Sequence, residues 1–355
     1  MVEAIILAIK IAIATLFVLN LAGLLTWAER RQSAFIQDRL GPNRANVFGI
    51  TLAGLLHPVA DGIKMMMKED FIPAGADRIV HTVAPFIALF PAFVVYAVIP
   101  FADKLPVFGY EINFVVSEIN IGLLFIVAVM STAIFGVFLG GWASNNKWSL
   151  LGALRSAAQM ISYEVTLGLT IIGILMVYQS VRLDEIVRAQ GNLLFGFIPA
   201  WGIVTQPVAF LLFFTAAMAE TKRTPFDLPE GESELVAGYF LEYSGMKFGM
   251  FFMGEFAELV VIAGIVASLF FGGWQIPWVT TDMLLGFFKS GLIVALIQMG
   301  VFTVKVVALC WLQLTVRWTL PRFRYDQLMR LGWKMLLPLS LANIFVTGVV
   351  ILLLQ

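Results

Sequence analysis

The chain is 355 residues long, 60% hydrophobic and 13% charged, with 23 Lys and Arg balanced by 23 Asp and Glu. An ordinary soluble domain is about 25% charged, so a mean hydropathy of +0.91 excludes a water-soluble enzyme and implies a polytopic, all-α membrane protein. One cysteine, Cys310, excludes a disulfide framework and any all-cysteine iron–sulfur site built by this chain alone, while two histidines, His57 and His81, argue against a His-rich metal site or a pair of haem ligands.

Eight apolar runs of about 20 residues are each able to cross the roughly 30 Å hydrocarbon layer as a helix. They are residues 4–28, 79–101, 118–142, 158–180, 199–219, 251–272, 288–313 and 333–354. No basic region with a short apolar core and cleavage site opens the chain, so the first run is expected as a retained helix. The connections after runs one, three, five and seven hold seventeen Lys and Arg, and the alternate ones only Lys104, Arg182, Arg188 and Lys289. The positive-inside rule then puts both termini on the outer side. Without repeats or a low-complexity linker, residues 1–355 read as a single membrane domain with a long first inside loop, 29–78, and an acidic loop, 220–250.

In the first loop, Phe48 to Met67 is apolar but interrupted by Pro58, Asp61 and Lys64. An amphipathic helix lying at the interface suits it better than a ninth crossing, and Met65, Met66 and Met67 give it a flexible apolar face. Such a helix suits the wall of a lipid-accessible cleft. Arg30, Arg31, Arg39 and Arg44 would be headgroup anchors by default. Five nearby acids, Glu29, Asp38, Asp61, Glu69 and Asp70, suggest a folded, paired loop instead. In run three, Gly136 and Gly140 form a G-x-x-x-G pair that permits close helix approach.

Charges within the bilayer are expensive and mark pathways or sites. Glu164, Glu255, Glu258 and Lys305 fall inside apolar runs, and all four are expected in the inner half, on the side of the acidic loop. Glu255 and Glu258, three apart, share a helix face. The plainer reading is a set of structural ion pairs, with Lys305 as a counter-ion. The acidic loop, residues 219–249, carries six carboxylates (Glu220, Asp227, Glu230, Glu232, Glu234, Glu242) against Lys222, Arg223 and Lys247. Pro225 and Pro229 stop the preceding helix, and Asp227 is placed to cap a short one near Pro229. Glu230, Glu232 and Glu234 are close enough to share protons and titrate as a unit. A charge run is usually a solvated face, but here the flanks are apolar and the loop joins two spans.

Several stretches together resemble one family. They are ERRQSAFIQDRLGPNR, ADGIKMMMKED, GWASNNKWSLLGALRSAAQMISYE, AETKRTPFDLPEGESELVAGYFLEYSGMKFG and PRFRYDQLMRLGWK. They look like the membrane subunit of respiratory complex I (NADH:quinone oxidoreductase) that borders its quinone site, the H subunit of bacteria and its mitochondrial counterpart. The resemblance implies an eight-helix core in a proton-pumping complex, most naturally in a bacterial inner membrane with periplasmic termini. Its partners would be hydrophilic quinone-site and iron–sulfur subunits, antiporter-like membrane subunits and membrane lipid, with no nucleic acid. Flavin and iron–sulfur clusters would sit in those partners, no cofactor or metal in this chain, and quinone would be the substrate. By the same resemblance, Arg30, Arg39, Asp61, Glu69, Arg155 and Arg223 match the quinone channel. Glu164, Glu220 and Glu255 match an acidic path, and Asp227, Glu230, Glu232, Glu234 and Glu242 the coupling loop and its continuation. Two positions depart from the family pattern: His57 stands before Pro58 where many relatives carry glutamine, and no acid occurs around Ser131 and Thr132 where some relatives have one.

The expected function is therefore a non-redox subunit that admits quinone and couples its reduction to proton translocation. The rivals are a related anchor subunit of a membrane-bound hydrogenase or of a ferredoxin- or deazaflavin-dependent oxidoreductase, and a free-standing ion transporter. The last lacks visible inverted halves or paired broken helices.

Overall fold

The computed structural model describes residues 2–107, 109–194, 196–228, 231 and 236–354. Its helices are α1 (Val2–Ile36), α2 (His57–Met67), α3 (Arg78–Val95), α4 (Gly122–Ala143), α5 (Lys147–Tyr178), α6 (Leu183–Ala189), α7 (Gly202–Thr205), α8 (Pro207–Glu220), α9 (Gly245–Phe270), α10 (Thr281–Phe288), α11 (Gly291–Thr319), α12 (Tyr325–Leu331) and α13 (Leu337–Leu354). Two small antiparallel hairpins, Leu105–Val107 with Tyr110–Ile112 and Leu193–Leu194 with Ile198–Pro199, are the sheets among the described residues.

Among the described residues, seven helices are long and apolar enough to cross a membrane; α12 and α13 run together as one of them through a π turn at Gly332–Leu336. The fifth expected span is different. Gln206, at φ −139° and ψ 58°, separates α7 from α8, and Pro207 starts the second piece. The 14 residues of α8 extend about 21 Å, short of the hydrocarbon thickness. Eight full spans are therefore not confirmed among the described residues: the fifth expected run is a broken helix.

α9 is the axis of the molecule. Every residue from Leu259 to Phe270 is buried, as expected for a helix apolar on all sides, and α1, α2, α3 and α11 pack around it. By contrast α1 and α13 turn most of their apolar side chains outward, Leu16, Leu19, Phe345 and Leu352 among them. Such exposure fits a lipid solvent. The G-x-x-x-G reading holds at both glycines. A Cβ on Gly136 would stand 2.3 Å from the Ala88 backbone nitrogen of α3, and one on Gly140 would stand 2.9 Å from the Phe251 ring.

The first loop contains the expected interfacial helix as α2, shorter than its apolar sequence and with no buried residue. His57 pins the turn before it: Nδ1 donates to the Gly54 carbonyl at 3.0 Å and Nε2 accepts from the Ala45 amide at 3.5 Å.

Lys305 is not on the acidic side. Its ammonium donates to the carbonyls of Phe271 (2.8 Å), Gly273 (2.9 Å) and Gln275 (2.6 Å), just beyond the end of α9 remote from the acidic loop. A cation there meets the negative end of the helix dipole and its unpaired carbonyls, so it is no counter-ion to the acids.

Candidate functional site

The acidic loop leaves α8 at Glu220 and turns back into the protein. Lys222 adopts a positive φ of 57°, and both Lys222 and Arg223 are buried, their side chains 2% and 3% exposed. Buried cations demand partners. Arg223 lies 2.7 Å from Glu29 of α1 and 3.9 Å from Glu255 of α9, with its guanidinium 3.9 Å from the centre of the Phe256 ring. Arg317 of α11 holds the other oxygen of Glu29 at 2.8 Å. Tyr239 donates to Glu255 at 3.0 Å, and Lys222 pairs with Glu258 at 3.4 Å. Four segments far apart in sequence thus share one buried ionic network.

Beside the network stands Glu220. Its side chain is buried, and Oε2 has no hydrogen-bond partner among the described residues. It borders two cavities of about 20 Å³ each, room for roughly one water apiece. The first is also lined by Glu258 and Ile262, the second by Glu164, Phe213 and Ile262. Glu164 in turn accepts a hydrogen bond from Ser131 of α4. A hydroxyl therefore occupies the region of the third span where no acid was found.

A third cavity, about 240 Å³, opens beside α2. Arg30, Asp61, Lys64 and Lys68 supply its polar lining, and Met65, Phe248 and Phe252 its apolar lining. Arg30 and Asp61 pair at 2.6 Å across its wall. Along α9, Phe248, Phe252, Glu255, Glu258, Ile262 and Ile265 recur at three- and four-residue spacing, which places them on one stripe. That stripe runs past all three cavities. α9 begins at Gly245 rather than near residue 251, so Glu255 and Glu258 sit mid-helix and not at its start.

Asp227 pairs with Arg322 at 2.7 Å and also feels Glu255 and Arg317 of the network. Burial raises its carboxyl to about 6, against the opposing pull of Arg322.

The remaining expected residues are not brought to this group. Arg39 bonds to Gln37 and Ser33 within its own turn, and Glu69 is exposed, its backbone carbonyl accepting from Ser244. Arg155 lies over the Tyr325 ring at 5.7 Å. Glu242 accepts from Asn146 at 2.6 Å, next to the close approach of Gly152 and Gly238. Glu230, Glu232 and Glu234, and with them the capping expected of Asp227, lie outside the described residues. Glu29, Lys222 and Tyr239 were not marked as site residues by sequence. The one available signal was a carboxylate directly before the Arg30–Arg31 pair. No group of three or more His, Cys, Asp or Glu among the described residues is arranged to hold a metal ion.

With this geometry in place, comparison with known proteins is decisive about ancestry. The family model described as NADH dehydrogenase matches residues 9–348. The chain belongs to this family. Its relatives include an NADH-quinone oxidoreductase H subunit of Geobacter metallireducens, 47% identical over 97% of this chain and 96% of the relative. The corresponding H subunit of Thermomicrobium roseum is 48% identical over 94% and 92%, and one from Rhizobium meliloti 44% over 97% of each. Near-complete coverage in both directions means that the NADH dehydrogenase family likeness includes α1, the first loop, the acidic loop and α9 together.

Proposed function

We propose that this chain is the quinone-site membrane component of a proton-translocating NADH:quinone oxidoreductase, with no redox centre of its own. The supporting observation is the stripe on α9, which passes from the amphipathic cavity at α2 to the two water-sized cavities around Glu220. The cavity suits a tailed quinone: Met65, Phe248 and Phe252 match an isoprenoid tail, and Arg30 with Asp61 match the polar head. Cations near the head stabilise negative charge gained on reduction. Arg223, gripped by Glu29 and Glu255, is placed to sense that charge. Lys222 and Glu258 carry the change to Glu220, which passes a proton or its electrostatic equivalent to Glu164 through single waters. Partner subunits hold the flavin and iron–sulfur clusters, and antiporter-like subunits continue the path. The chain lies in a bacterial inner membrane with its termini on the periplasmic side, the orientation favoured by its seventeen inward Lys and Arg.

Labelling the intact complex with a photoreactive long-tailed quinone tests the cavity. The expected label falls on the peptides carrying Arg30, Asp61–Lys68 and Phe248–Phe252, and excess unlabelled quinone suppresses it. Labelling confined to lipid-facing α1 and α13, or none that competes, would remove the quinone assignment.

A further inference from the structure

The segment from Ala219 to Phe226 contributes Glu220, Lys222 and Arg223 to the buried group, and its two ends are closed on one side chain. Gln159 of α5 is 0% exposed, and its Nε2 donates to the Ala219 carbonyl at 2.7 Å and to the Phe226 carbonyl at 2.8 Å. Both neighbours are acceptors, so only the NH2 end of the amide fits there. Neither carbonyl needs it to avoid being an orphan. Ala219 also accepts from the Lys222 amide at 3.3 Å, and Phe226 from the Leu228 amide at 2.9 Å. The Oε1 of Gln159 has no hydrogen-bond partner among the described residues, a cost that an apolar side chain would avoid. What the amide adds is a tether between α5 and both ends of the segment. One turn along the same face, the Tyr163 ring stands 5.9 Å from the Phe226 ring.

We propose that Gln159 is a positioning residue for quinone-linked turnover: it fixes Glu220 against Glu164, and Lys222 against Glu258. This role rests on the path through Glu220 given under the proposed function. α5 carries Glu164 five residues beyond Gln159, and Glu164 and Glu220 line the same water-sized cavity. Their spacing therefore depends on how the end of α8 is held to α5, and Gln159 holds it directly. Met160, the next residue, lines the cavity shared by Glu220 and Glu258. On the far side of the tethered segment, Lys222 reaches Glu258 at 3.4 Å and Arg223 reaches Glu255 at 3.9 Å. A single bridging water tolerates little change in separation, because hydrogen bonds weaken beyond about 3.5 Å. Gln159 carries no titrating proton and does not line the cavity at α2, so it acts only through these neighbours.

The test is a double-mutant cycle on the intact complex, reading NADH-driven quinone reduction per assembled complex. Gln159→Leu removes both N–H donors at similar volume. It is expected to lower kcat about tenfold, with the KM for quinone and the artificial-acceptor activity unchanged. In the Glu220→Gln background the same substitution should cost little more, because residues that act as a unit are not additive. Losses that multiply would make Gln159 a purely structural amide and overturn the proposal. So would wild-type kcat in Gln159→Leu while Glu220→Gln is impaired. Wild-type turnover in Glu220→Gln would instead overturn the proton path itself, and this role with it. Should Gln159→Leu fail to assemble, Gln159→Glu, which keeps the shape with at most one donor, carries the same comparison with the same outcomes.

Discussion

Arg223 is the residue on which the site's electrostatics turn, because its charge is buried between carboxylates from α1 and α9 and stacked on Phe256. Removing one member of a buried ionic group leaves the others uncompensated, at about 3–5 kcal/mol. Arg223→Met should therefore lower the melting temperature and yield of the purified complex, and Arg223→Lys should recover only part, since an ammonium cannot reproduce the planar fork and stacking. An unchanged melting temperature in Arg223→Met would mean that the network contributes no stability. Asp227 titrates differently. Its folded carboxyl is raised from 3.8 to about 6 by burial, so its contribution to stability is fully present below 3.8 and is lost as pH rises through about 6. The melting temperature of Asp227→Asn relative to wild type should accordingly rise between about pH 4 and about pH 6; a difference flat across that window would contradict the assignment.

Among the elements, α3 and α4 meet where Gly136 leaves no room for a side chain. Gly136→Leu should force them apart and cost about 1–3 kcal/mol or more, read as reduced thermal stability, whereas Gly168→Leu, with nothing within 4 Å of a Cβ, should be tolerated. The same elements explain which features sequence could reveal. Apolar runs marked seven spans because length and composition suffice for them, and the interrupted run before Met67 marked α2. The break at Gln206–Pro207 was hidden, because hydropathy averages across a kink that depends on one backbone angle. Lys305 was assigned to the wrong side since a mid-helix lysine can extend either way, and only the fold brings the carbonyls of Phe271, Gly273 and Gln275 within its reach. Charge within apolar runs and in the acidic loop singled out Glu164, Glu220 and Glu255, which lie at the buried network and its two small cavities. Their pairing was not legible: Glu29 and Arg223 are 194 residues apart, and nothing local joins them.

In the whole molecule, a single buried helix organises the bundle. α9 carries the apolar stripe past the amphipathic cavity, the ionic network and the two small cavities in turn, while α1 and α13 present its surroundings to lipid. Glu220 borders both small cavities of that series, and its Oε2 has no hydrogen-bond partner among the described residues. Glu220→Gln keeps its shape and removes only the titrating proton. The most direct measurement compares NADH-driven proton uptake into liposomes containing the complex, with quinone as acceptor, against electron transfer to a soluble artificial acceptor. The expected result for Glu220→Gln is quinone-linked turnover and proton uptake lowered at least tenfold, about 1.4 kcal/mol in barrier, with artificial-acceptor activity unchanged. Proton uptake per quinone reduced at the wild-type rate and yield would contradict the role of Glu220 and the path through it.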